Sequence, residues 1–579
     1  MAARTVTFMN SVTKSQSRIV FKLLVIAAIF IGTIVQTNAS QAATSIDPAV
    51  SELGLYFKEN FDIGSMPTAY FAQRDPKDEK TWLICTSIDD KNCTDAPLIS
   101  GASNWDICNE KSNVACVAEV WAVDSKNQKI SGEFVKSLPN DPRYAMSENV
   151  AANLPQSNGV GSVWKIPGVL NSAQKDTYFV GVRSESGVSK IQGEKGSSQK
   201  FGLSNLAVAI LPVEEVAGRF PLLTVSEATS GGGGVGSNEG ASRDGNKCIV
   251  SDVTICEAIR QFPEGYRFGI TIRVGEKQQG WYHGRLSFPE ILTKDWKTGQ
   301  QISIEAEPVK ISSLDFVIPN AEIPQKIREF INGKKLGTKG DGLTRTQIVE
   351  NLSSKNALEL LPVFAPSFKD KATSTDSYWS FKTINNENFN EIGKCSDNTG
   401  SLAGLVTTNS LTYSDGPPSF DKETGSLTYK VASPHFEANG DVARGSYDLV
   451  LRADVARCIY GFSKAPIRAE ISITSSDGST QEIASEMLSE KDGWFYLSAK
   501  NFTFSSPTVK VKLTQEKTKE VVVETKVESA KPVEVVAVSV KPVIAIKSHS
   551  IVCSKGKVTK RVSGVNPKCP VGYRKNSNF

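Results

Sequence analysis

Three short stretches carry the parts of a serine-acylation site: "SAQK" (Ser172, Lys175), "KTG" (Lys297, Gly299) and "SDN" (Ser396, Asn398). In enzymes built this way the serine attacks a carbonyl, and the lysine and the two triplets manage protons and hold the substrate. Here KTG precedes SDN, the reverse of the order such enzymes use. The serine must also open a helix, whereas "NSAQKD" reads as a turn before the strand-like "TYFVGV". These stretches are not expected to form an active site, and no catalytic residue is assigned. The chain has no GxSxG elbow, no HExxH and no calcium loop of the DxDxDG type. Carboxylate pairs for glycoside hydrolysis lie far apart in sequence, so that chemistry stays open.

A second candidate is "GWYHGRLSFPEI", residues 280–291. Trp281, Tyr282, His283 and Arg285 between glycines could present an aromatic face and a fork of donors to a sugar. The competing reading, a strand with close backbone approach at Gly284, is preferred. Trp494 in "KDGWFYL" is read as core in the same way. With three scattered His and no paired CxxC, no metal or other cofactor is expected.

Ten cysteines suit a disulfide set. Cys85 and Cys93, Cys108 and Cys116, and Cys248 and Cys256 each have seven residues between them, so each pair could close a small loop. Cys395 with Cys458, and Cys553 with Cys569, are the remaining pairs; the spacing alone does not derive the connectivity.

The last cysteine pair brackets a basic strip. Residues 547–579 hold eight Lys and Arg and no acid. A disulfide there would close a loop of about 15 residues, stabilising a piece too small for its own core by roughly 3 kcal/mol. Lys555, Lys557, Lys560, Arg561, Lys568, Arg574 and Lys575 are the candidates for binding anionic polymers. The pattern formed by Cys553, Lys555, Gly556, Lys557, Thr559, Lys560, Val562, Pro567, Lys568, Cys569, Pro570, Gly572, Tyr573 and Lys575 resembles a short C-terminal module of exported actinobacterial proteins. With "ARCIYGFSKAPI" and "GWYHGRL", the whole resembles uncharacterised cell-surface proteins that carry this module. The resemblance implies export and surface placement and implies no activity.

The elements that must position these residues read as strands. "FGITIRV" puts Phe268, Ile270, Ile272 and Val274 on one face, and "IRAEISIT" and "VKVKL" alternate likewise. The expected class is mainly β: tandem antiparallel Ig-like sandwiches with a small helical insertion at about 323–361, covering "IPQKIREFING" and "TRTQIVENL". Lys14, Arg18 and Lys22, the apolar run 23–35 and the exit "QTNASQAA" read as a signal peptide, 1–42. The run is shorter than the roughly 20 residues of a membrane span, and no span is expected after cleavage. The other expected segments are β-rich 43–229 with two short disulfide loops, a Gly-rich linker 230–246, a β domain 247–385 holding the helices, a sandwich 386–515, a Val/Lys/Glu/Pro stalk 516–547 and the basic module 548–579.

A net charge of +4 does not by itself favour nucleic acid, and no nucleic-acid partner is expected. The expected partners are anionic envelope polymers or carbohydrate, and the oligomeric state stays open. The functional expectation is a secreted, surface-associated, non-catalytic protein serving binding, adhesion or scaffolding. The alternative is an exported hydrolase of polysaccharide or peptidoglycan.

Overall fold

The computed structural model describes residues 51–59, 69–73, 82–85, 89–94, 96–138, 145–189, 202–218, 224–225, 235–236, 248–252, 254–336, 338–340, 345–384, 395, 401–463, 467–474, 480–482, 489–504, 508–515, 549–555, 558–564, 568–569 and 573–575. The expected signal segment, the stalk, Ser396–Asn398 and most of the Gly-rich segment lie outside the described residues. The chain forms two compact units, Met1–Lys517 and Thr518–Phe579. They are called the body and the tail below.

The body is mainly β. Its centre is a large sheet whose main strands are β1 (Thr177–Ser189), β2 (Gly202–Ala217), β3 (Gly280–Arg285), β4 (Ser380–Thr383), β5 (Leu402–Thr408), β6 (Arg444–Arg452) and β7 (Trp494–Thr503). They run in the spatial order β1-β2-β4-β3-β5-β6-β7. The pairings are antiparallel except β3 with β5, which is parallel and sets Trp281 beside Gly404. Gly404 has a reason to be glycine. A Cβ there would run into the Trp281 ring and sit 2.7 Å from the carbonyl oxygen of Val450.

Both faces of this sheet are covered, and the sequence of β2 shows why. In "LAVAILPV", Ala207, Ala209, Leu211 and Val213 point into one core, and Leu206, Val208 and Ile210 into the other. One core joins the central sheet to an outer sheet that contains Ala115–Val123, Arg267–Val274, Ser287–Trp296 and Gly299–Glu307. The other core joins it to the strands Glu52–Phe57, Val309–Pro319 and Arg345–Val349, and to Ser426–Ala432, Ile467–Thr474 and Thr508–Gln515. The outer strands keep the expected alternation. Phe268, Ile270, Ile272 and Val274 are fully buried, while Arg267 reaches Glu305 at 2.6 Å and Arg273 reaches Gln301.

Strand pairing crosses the boundaries drawn at 230–246 and 385. β2 precedes the Gly-rich segment and pairs with β4 beyond it, and β3 pairs with β5 across residue 385. Residues 43–229, 247–385 and 386–515 are therefore not separate compact units. Gly-rich composition does not by itself mark a domain boundary, since such a sequence can connect strands of one sheet as readily as it separates domains.

The first expected helix is present as α1 (Gln325–Ile331), with Ile327 and Ile331 buried. The second is not where it was expected. Arg345–Val349 is a strand, paired in parallel with Glu52–Phe57 and antiparallel with Thr338–Gly340. Its β-branched Thr346, Ile348 and Val349 suit a pleated surface with neighbours on both sides. The helix follows as α2 (Lys355–Phe364), begun by Ser354, whose Oγ accepts from the Ala357 N–H at 3.0 Å. A further helix, α3 (Ala453–Tyr460), stops at Gly461 with φ 65°.

Three expected disulfides are formed: Cys108–Cys116, Cys395–Cys458 and Cys553–Cys569. The Cys395–Cys458 bridge ties residue 395 to α3 rather than joining two strands. Cys93 and Cys256 are also disulfide-bonded. The side chains of their expected partners, Cys85 and Cys248, are outside the described set.

Candidate functional site

The strand β3 holds the four residues proposed as a sugar platform, and none of them is at the surface. Trp281, Tyr282, His283 and Arg285 are 1%, 0%, 3% and 3% exposed. With β4 on one side and β5 on the other, successive side chains enter the two cores, Trp281 one and Tyr282 the opposite one. The preferred reading of Gly284 matches the geometry. A Cβ there would approach Leu286 at 3.0 Å and Thr407 at 3.1 Å.

What β3 builds instead is an internal clamp. The Arg285 guanidinium donates to the carbonyls of Thr408, Ser410 and Leu411, and pairs with Glu59 at 2.5 Å. It also lies 4.3 Å from the centre of the Tyr413 ring, on which the His283 imidazole stacks at 3.8 Å. Arg285 thereby fixes the turn after β5 and the chain after Glu52–Phe57. Burial, reinforced by the cations of Arg285 and Lys382, holds His283 well below the usual imidazole range, and so neutral. His435 is hydrogen-bonded through Nδ1 to the Phe504 carbonyl.

Another constellation could be mistaken for a serine–lysine site. Lys500 Nζ lies 2.6 Å from Ser287 Oγ and 2.7 Å from Asp448 Oδ2. Asp448, itself buried, also accepts from Thr407, Ser498 and the Phe288 N–H. The lysine is paired with a carboxylate that three other groups enclose, which suits a structural cross-link between β5, β6 and β7. Of the acylation stretches, Ser172 sits in a turn, where its N–H donates to Gln261. Lys297 lies in the hairpin between Ser287–Trp296 and Gly299–Glu307.

Two carboxyls are raised by burial, Asp106 and Asp370. Asn158 and Ser137 donate to Asp106, and the His435 N–H donates to Asp370. The groups acting on each include no second carboxylate. Among the described residues there is no group of three or more His, Cys, Asp or Glu placed to hold a metal.

A cavity of about 440 Å³ opens at one end of the central sheet. The N-terminal ends of β5 and β7 bring Leu402 and Trp494 to it, and the C-terminal end of β6 brings Arg452. The hairpin of the outer sheet supplies Lys294, Asp295 and Gln300, and Lys277 comes from the segment leading into β3. Arg452 is oriented by Asp454 at 2.6 Å and by the Leu402 carbonyl at 3.2 Å. Trp494 is buried in the core, as expected, and nothing in the sequence marks the cavity. The missed residues are ordinary polar positions at strand ends, and no local pattern marks them.

The tail is a three-stranded antiparallel sheet of His549–Lys555, Val558–Gly564 and Arg574–Lys575. Its register sets Cys553 opposite both Lys560 and Lys575. Cys553 is fully buried, and Lys568, Arg574 and Lys575 are exposed. Lys555, Lys560 and Arg561 lie on the paired strands, and their side chains are outside the described set, as is the whole of Lys557. No protein-family model matches the chain, and no curated protein matches it.

Proposed function

We propose that this is an exported, envelope-associated, non-catalytic binding protein whose tail attaches it to anionic polymers. The observation that carries the reading is the tail itself: a sheet closed by Cys553–Cys569 that contains basic residues and no acid. Exposed Lys568, Arg574 and Lys575 offer charge to phosphate or carboxylate groups. Disulfides in body and tail suit an oxidising compartment, and the signal-like N-terminus suits export. The tail pattern's resemblance to the modules of actinobacterial surface proteins supports the same reading. No observation favours the hydrolase alternative, which needs two carboxyl groups facing across a bond.

The test is retention on isolated cell walls of the producing organism, comparing the mature chain with one ending at Lys547. The mature chain should be retained at low salt and released as salt rises, because the Debye length shrinks from about 30 Å at 0.01 M to about 3 Å at 1 M. Changing Lys555, Lys557, Lys560 and Arg561 together to Glu should reproduce the loss. Equal retention of the two chains at low salt would remove the attachment role.

A further inference from the structure

We propose that the strand Glu52–Phe57 is exchangeable, and that copies of this chain join by placing it in one another's sheets. It lies at the centre of a five-stranded sheet, antiparallel to Val309–Pro319 on one side and parallel to Arg345–Val349 on the other. The other strands of that sheet all come from residues 309–378. The next strand in sequence, Ala69–Gln73, belongs to the central sheet instead, where it pairs with Leu98–Asn104. No strand adjacent in sequence shares the sheet with Glu52–Phe57, so non-covalent contacts alone seat it there.

Those contacts are the kind an inserted segment makes. Backbone pairing on both edges supplies affinity, and alternate side chains supply selectivity. Leu53, Leu55 and Phe57 are 3%, 0% and 0% exposed, in the core that also holds Leu314, Ile348 and Leu360. Between them a Cβ on Gly54 would run into the Phe316 carbonyl oxygen and sit 2.7 Å from the Gln347 side chain. Beyond the strand, Glu59 meets the buried Arg285 at 2.5 Å. The groove thus takes an extended segment with apolar residues at alternate positions, a glycine between the first two and a carboxylate after the last. The same segment of a second copy meets every one of these demands.

Cleavage of the expected signal segment would leave residues 43–51 ahead of the strand, so it could withdraw without threading a long chain through the sheet. At this point alone the inference rests on the export reading. The exchanged and closed forms make the same strand contacts, which keeps the cost of exchange low. Within one copy the tethered strand competes for its own groove at an effective concentration of about millimolar. Exchange is therefore expected where copies are crowded, and is slight in dilute solution.

The test uses two differently tagged mature chains, one with Tyr56→Cys and the other with Asp315→Cys. These positions face each other across the antiparallel pair, within disulfide reach, and the described native cysteines are all bridged. Mixed at about 0.1–1 mM under mild oxidation, they should accumulate a covalent heterodimer. Its yield should exceed that of Tyr56→Cys with the off-register Lys310→Cys by about fivefold or more. Gly54→Ala added to the Tyr56→Cys chain should cut the yield about tenfold, because the collision travels with the inserted strand. The same substitution in the Asp315→Cys chain should raise it, because that copy's own strand then fits its groove less well. A yield no greater than that of the off-register pair would overturn the proposal. So would an equal response to Gly54→Ala in either chain. Neither result touches retention on cell walls, which tests the attachment reading separately.

Discussion

Trp281 in the body and Cys553 in the tail are both almost fully buried, for different reasons. Trp281 is enclosed by strands on each side, with Gly404 leaving room for its ring. Its burial depends on residues more than a hundred positions away. Cys553 is enclosed by three short strands drawn from fewer than 30 residues, and its sulfur is bonded to Cys569. A sheet sandwiched between two others can exclude water from whole side chains. A sheet of this size cannot, so a covalent closure substitutes for the missing layers. The difference also separates their tolerance. The body holds a charged pair inside itself because the fold surrounds it with acceptors, whereas the described cations of the tail, Lys568, Arg574 and Lys575, are exposed.

The strongest way to break the comparison is to remove the body's internal clamp. Arg285→Ala takes the guanidinium partner from buried Glu59 and three donors from the carbonyls after β5. Loss of one member of a buried pair costs about 3–5 kcal/mol, and chemical unfolding of the body should show it. The tail's protection from protease should not change. A loss below about 1 kcal/mol would mean that the clamp is not a stabilising element.

Cys553→Ser with Cys569→Ser tests the other side. Opening the loop should destabilise the tail by about 3 kcal/mol and expose its lysines to trypsin. The melting transition of the body should stay where it was. A tail equally resistant to trypsin without the bridge would show that its three strands suffice.

The smallest effect sharpens the account of β3. His283 has a folded-state pKa below its unfolded value of about 6.5, so its contribution to stability is complete above that pH. It is lost progressively as pH falls toward the folded value, because the unfolded chain takes up the proton first, with a slope of at most about 1.4 kcal/mol per pH unit. His283→Phe keeps a ring against Tyr413 and removes this proton site. Urea midpoints at pH 7.5 and 5.5 should differ less for the variant than for the parent. An equal difference would place the acid sensitivity elsewhere.

The sequence by itself determined a mainly β chain, the helix at Gln325–Ile331, the inward faces of strands such as Arg267–Val274 and the cysteine spacings that can close short loops. Each of these is local, or rests on residue type. Alternation says which side chains share a face, and cysteine spacing says which loops can close. Even β2 and β5 carried a readable hint, since "LAVAIL" and "LAGLV" lack the polar alternation of a half-wet strand. Only the tertiary structure decided that β3 lies under two cores, that segments on either side of residues 230–246 share one sheet, and that Arg345–Val349 extends rather than coils. It alone brought Lys277, Gln300, Arg452 and Trp494 around one cavity. Those outcomes depend on what covers a face, and the covering strands are distant in the chain. Periodicity within a strand carries no record of its neighbours.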